Sequence, residues 1–197
     1  MPFITLCAAI ALLAAPLRAA DKTPATQKTK LTFTSQEHGF SLSYPPELTK
    51  MKAPNKGSMV YLGTKTEKGD AFRESVHVKI EASGLGNATL AQAVKGFEAS
   101  MKKAGITVLE SEPSEINGKP VQRIVYTHPV KLAKGSETVK AVMYFWLRNG
   151  TAYGLDVRAT ETTYDKFQVV GGKVVASLKW TDDDAGDATR QQQTRKD

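Results

Sequence analysis

The chain has 197 residues, of which 41% are apolar, 8% aromatic and 24% charged, and its 27 Lys and Arg against 20 Asp and Glu give a formal charge of +7. This length and composition exclude wholesale disorder, a collagen-like repeat and a multipass membrane protein, and they suit one well-buried core. The positive excess is spread along the chain, so it permits an anionic partner without requiring one.

From Phe3 to Ala15 the sequence is uncharged and mostly apolar, and it stops at Pro16. A spanning helix takes roughly 20 apolar residues, so this run has the length of a signal-peptide core, and Leu17-Arg18-Ala19-Ala20 offers a cleavage point after Ala19. Met1-Pro2-Phe3-Ile4-Thr5 carries no basic side chain, which leaves an upstream start open; a retained N-terminal anchor is the alternative to cleavage. Leu6 precedes Cys7, which does not fit a lipoprotein signal. Removal of residues 1–19 leaves 178 residues with 26 basic and 20 acidic side chains, a charge of +6, and no cysteine. Such a chain is exported, periplasmic or secreted, with no disulfide, zinc-thiolate site or Cys nucleophile. Residues 20–30 read as a flexible polar linker, 31–180 as a single α+β domain, and 181–197 as a disordered polar tail.

Within the domain, Leu31–Thr34 and Phe40–Tyr44 read as strands around a turn, with Phe40, Leu42 and Tyr44 on one face and Pro45-Pro46 as the stop. Ser58–Gly63 and Ser75–Ala82 follow as half-buried strands, the second with Val76, Val78 and Ile80 inward and His77, Lys79 and Glu81 outward. Leu90, Val94, Phe97, Met101 and Ala104 then fall on one helical stripe. Thr89 and Gln92 form a capping box ahead of it, and Gly105 is its stop.

Beyond the helix, Asn117-Gly118 joins Ile106–Ile116 to Lys119–His128, and Asn149-Gly150 joins Val139–Arg148 to Thr151–Ala159. Asn-Gly suits a type I′ turn, whose central residues both need positive φ, so two hairpins are expected with Pro129–Thr138 connecting them. From Ala141 the third of these strands is apolar on both faces, as in a central strand. Phe167, Val170, Val174 and Leu178 place a final helix over 162–178, with Gly171-Gly172 either kinking it or allowing close packing. The order of strands, helix, four strands, helix, with antiparallel pairings, predicts an α+β fold with a central sheet of about six to eight strands between helices.

The opening Glu37-His38-Gly39-Phe40-Ser41-Leu42-Ser43-Tyr44-Pro45, together with the closing Val174-Val175-Ala176-Ser177-Leu178-Lys179-Trp180, resembles the PsbP-like superfamily over roughly residues 31–180. The superfamily includes the photosystem II subunit PsbP and DcrB-like bacterial envelope proteins. The resemblance implies a sheet sandwiched by helices and a role as an accessory or binding module rather than an enzyme. It carries over no partner-binding residue. Pro46-Glu47-Leu48 departs from the aromatic that many relatives have at this point, and Gly171-Gly172 interrupts the last helix.

Sequence motifs for chemistry are sparse. His38, His77 and His128 have no second ligand at local metal-binding spacing, there is no G-x-S-x-G elbow or phosphate-binding loop, and no cofactor is indicated. Asp182–Asp187 has the wrong glycine and glutamate positions for a calcium loop, and Asn87-Ala88-Thr89 is a glycosylation sequon that also serves as a helix start. Two function classes remain. One is a non-catalytic module that binds an envelope protein, or an anionic membrane surface, through a cationic rim of Lys50, Lys52, Lys56, Lys131, Lys134 and Lys140. The other is a hydrolase or metal-dependent enzyme built on His77 or His128 with Glu81 or Asp156. Export and the lack of a basic run interleaved with aromatics argue against nucleic acid.

Overall fold

A computed structural model describes residues 29–65, 72–132 and 135–180. The leader, the C-terminal tail and its calcium-like segment lie outside these residues. The elements are β1 (Leu31–Ser35), β2 (Phe40–Tyr44), β3 (Leu48–Lys50), β4 (Ser58–Thr64), β5 (Ser75–Ala82), α1 (Leu90–Lys103), β6 (Thr107–Ile116), β7 (Lys119–Leu132), β8 (Gly135–Arg148), β9 (Thr151–Thr160), α2 (Tyr164–Ala176) and β10 (Lys179–Trp180). Seven strands form an antiparallel sheet in the order β3-β4-β5-β9-β8-β7-β6, and β1-β2-β10 form a second, three-stranded sheet. The expected α+β class and central sheet are present.

Local chemistry explains the joints. Asn117 and Gly118, like Asn149 and Gly150, have positive φ, as the type I′ turn demands. Thr89 Oγ1 accepts from Gln92 N at 3.2 Å while Gln92 Oε1 accepts from Thr89 N at 2.8 Å, so the capping box closes. Gly105 has φ +75° after the helix, which leaves Ala104 as an exposed cap residue rather than part of the buried stripe.

The two faces of the large sheet are covered differently. On one, α2 packs on β9 and β5 and also touches β2, and Phe40, Leu42, Leu62, Val76, Leu155, Val157, Val174 and Leu178 share a core. Helix α2 is continuous through Gly171, where a Cβ would overlap the Val157 side chain, so Gly171 serves close packing on β9, whereas a Cβ at Gly172 would meet nothing within 4 Å. On the other face α1 lies over β6, β7 and β8, joining Val94 and Met101 to Ile124, Tyr126, Met143 and Phe145.

Three expectations are corrected. Pro129–Thr138 is no connection: β7 and β8 form one long hairpin whose pairing runs on to Leu132 and Gly135, because alternation carries through Val130 and Leu132 after His128. Strand β5 is central rather than half-buried, since β9 pairs with it from Ser75 to Ala82 and both faces are covered, leaving His77 only 3% exposed. The last helix ends at Ala176, and Lys179–Trp180 pairs with β2 instead.

Candidate functional site

Registers on the α1 side of the sheet align polar residues across its centre. His77 stands opposite Asp156, Lys79 opposite Gly154 and Ser75 opposite Arg158, while His128 and Tyr126 reach in from β7 on the same face. The sequence singles out His77, Lys79, Glu81, His128 and Asp156, the β5 set as facing solvent, but not Ser75, Tyr126 or Arg158.

At the centre is Lys79, whose Nζ lies 3.0 Å from Glu81 Oε1 and 3.4 Å from Asp156 Oδ2. Tyr126 Oη donates to Asp156 Oδ1 at 3.0 Å, so both oxygens of that buried carboxylate are engaged. The attraction of Asp156 and Glu81 for the ammonium outweighs the cost of burial and holds the Lys79 pKa above its usual value. Glu81 has the opposite balance. Burial, supported by the Asp156 charge and opposed by Lys79, pushes its carboxyl up to about 7. Burial beside Asp156 also raises the Tyr126 phenol well above its usual value.

His77 and His128 are held as neutral bases. Ser58 Oγ donates to Asn55 Oδ1 at 2.6 Å, so its lone pair accepts from His77 Nε2–H at 2.7 Å. Burial lowers the His77 pKa to about 4. Arg158 Nη2 has only protons to offer, so His128 Nε2 accepts at 3.0 Å; burial and then the Arg158 charge lower the His128 pKa. His38 stands apart in the β1–β2 turn, its Nδ1 3.2 Å from Tyr153 Oη.

Thus the structure gathers His77, His128, Glu81 and Asp156 on one face, but each is engaged by a neighbouring side chain, Ser58, Arg158, Lys79 or Tyr126, rather than by another of the four. Among the described residues no three His, Cys, Asp or Glu side chains are placed to hold a metal ion. Glu81 is the member that borders open space. A cavity of about 400 Å³ runs between the flank of α1 and the sheet, lined by Leu85, Ala93, Gly96, Phe97 and Phe145, with Glu81 its one titratable described residue.

The described lysines of the expected rim lie at different ends of the sheet. The segment carrying Lys52 and Lys56 leads into β4 at the end of the sheet where β5 finishes, as the Ser58–Lys79 pairing shows, whereas Lys131 lies on the β7–β8 hairpin beyond the opposite end. Lys134 lies outside the described residues. Lys50 and Lys140 are drawn onto aromatic rings, Lys50 Nζ 4.9 Å from the centre of Phe33 and Lys140 Nζ 4.6 Å from that of Tyr164.

The architecture is the PsbP-like fold. Cyanobacterial PsbP (CyanoP) from Synechocystis sp. PCC 6803 superposes with a TM-score of 0.52 at 14% identity, over 78% of this chain and 93% of that one. PA94 of Pseudomonas aeruginosa, a protein of unknown function, gives 0.51 at 14% identity, over 76% and 96%. The Ran-binding protein Mog1p of Saccharomyces cerevisiae gives 0.51 at 10% identity, over 78% and 96%. No family model and no curated protein matches the sequence. The likeness is one of fold, and the functional reading rests on the site.

Proposed function

We propose that this chain is a non-catalytic accessory module of the cell envelope, exported through its N-terminal apolar segment, that binds a protein partner. The observation that carries the reading is the closure of the charged cluster. Asp156 is held by Tyr126 and Lys79, His77 by Ser58, and His128 by Arg158, so these candidate acids and bases are tied to neighbouring side chains inside the sheet. Mog1p, of the same fold, is a Ran-binding protein, which supports a protein partner for this chain.

One observation favours the enzyme alternative: Glu81, held up to about 7, borders a cavity. General acid–base chemistry there would need a second group within hydrogen-bond reach of a substrate, and the other described residues lining the cavity are not titratable. Binding is the better use of such a space. The test is expression of the full chain in a bacterial host, followed by fractionation, N-terminal sequencing and size-exclusion chromatography of the native extract. Export with a new N-terminus at residue 20 and elution in a discrete complex support the reading; retention of residues 1–19 in the cytosol overturns it.

A further inference from the structure

The flank of α1 that faces β5 is made of small residues. Ala93 and Gly96 line the cavity beside Ser100, and a Cβ at Gly96 would meet nothing within 4 Å. A glycine inside a helix is disfavoured against alanine, so the open flank is kept against helix propensity. Aromatic rings complete the lining, Phe97 of α1 and Phe145 of β8 standing with ring centres 5.0 Å apart. At the sheet side the Glu81 side chain is about nine-tenths buried. A volume near 400 Å³, largely apolar walls and a single ionisable group are the make-up of a small-molecule site.

We propose that this cavity binds a small amphiphilic cation, an alkyl or aryl ammonium, whose apolar body lies along Phe97 and Phe145 and whose head pairs with Glu81. Charge complementarity selects the cation. Lys79 is shared between two carboxylates, and Asp156 already receives Tyr126, so Glu81 is the acceptor with capacity to spare. The titratable and charged groups around it are His77 and Lys79 on its own strand, Asp156 and Arg158 on β9, and Tyr126 and His128 on β7; α1 presents uncharged Gln92 and Ser100. A bound cation favours the ionised carboxylate, and the aromatic walls suit an ammonium head or an aryl body. The proposal does not depend on the protein partner proposed above.

The test is calorimetric titration of the full chain at pH 8 with 2-phenylethylammonium, 2-phenylethanol and 3-phenylpropanoate. The ammonium is expected to bind at least about tenfold more tightly than the alcohol, with the carboxylate weakest. Glu81→Gln should bring the ammonium down to the level of the alcohol, and Gly96→Leu, which places side-chain volume in the open flank, should remove binding of both. Circular dichroism verifies that each variant is folded, and Ala93→Leu provides a second filling substitution. Lowering the pH from 8 to 6 should weaken the ammonium selectively as Glu81 takes up its proton. An ammonium that binds no better than the alcohol, an unchanged affinity in Glu81→Gln, or binding that survives both filling substitutions overturns the proposal.

Discussion

A Cβ atom at position 154 would stand 2.6 Å from Glu81 Oε1, so Gly154 on β9 leaves vacant the space that the buried carboxyl of β5 occupies. Gly154 also lies across the sheet from Lys79, the residue that binds this carboxyl. Gly154→Ala should destabilise the fold by about 1–3 kcal/mol, the usual cost of overfilling a packed site. In Glu81→Ala the closest obstruction is gone, leaving Met143 Sδ at 3.2 Å. Urea denaturation of the two single variants and the double variant should show a smaller loss in the double than the sum of the singles.

The two strongly shifted groups oppose each other in their effect on stability. His77 binds a proton below 6.5 when unfolded but only below about 4 when folded, so its contribution is lost as pH falls from 6.5 to 4. Glu81 binds a proton up to about 7 when folded but only below 4.5 when unfolded, so its contribution is lost as pH rises from 4.5 to 7. Between 4.5 and 6.5 the two slopes cancel. Each shift corresponds to roughly 3 kcal/mol at its limit. Thermal or urea unfolding at a series of pH values should therefore show Glu81→Gln gaining stability relative to wild type as pH rises from 4.5 to 7, and His77→Gln losing it relative to wild type from 4 to 6.5.

Gly171 and Gly172 are neighbours with opposite requirements. A Cβ at Gly171 would collide with Val157, whereas one at Gly172 would meet nothing within 4 Å. Gly171→Ala should cost about 1–3 kcal/mol by forcing α2 off β9. Gly172→Ala should stabilise the protein by about 0.5–1 kcal/mol, the gain expected from replacing a helical glycine. Melting temperatures of the two variants should move in opposite directions.

Ser177, just past α2, fastens the end of that helix to β2 of the small sheet. Its Oγ accepts from Ser43 N at 2.8 Å and lies within hydrogen-bond distance of the carbonyls of Ser43 and Val174. Ser177→Ala should cost about 1–3 kcal/mol by stranding the Ser43 N–H. Hydrogen exchange should show the loss of protection concentrated at Ser43 and along β2.

What was legible in the sequence is what local chemistry determines. The capping box at Thr89, the stop at Gly105 and the turns at Asn117-Gly118 and Asn149-Gly150 are written in a few adjacent residues, and so is the inward set Phe40, Leu42 and Tyr44. Strand order is different. Nothing in Ser75–Ala82 announces that β9 returns beside it, and that neighbour turns the outward positions of His77, Lys79 and Glu81 into an interior. The separation of Lys52 from Lys131 was hidden for the same reason. Whether Lys52 and Lys131 share an end of the sheet depends on the reach of the β7–β8 hairpin, which a proline at 129 disguised. The cavity was illegible because it is a space between elements, marked in the sequence only by an oddly placed Gly96.

The central claim is that this chain binds rather than catalyses. The most direct measurement is chemical cross-linking of the full chain in its native envelope fraction, followed by purification and quantitation of what is covalently attached. The account predicts one protein recovered at a fixed molar ratio across preparations. Recovery of no partner at any cross-linker concentration, with the chain monomeric throughout, would contradict it.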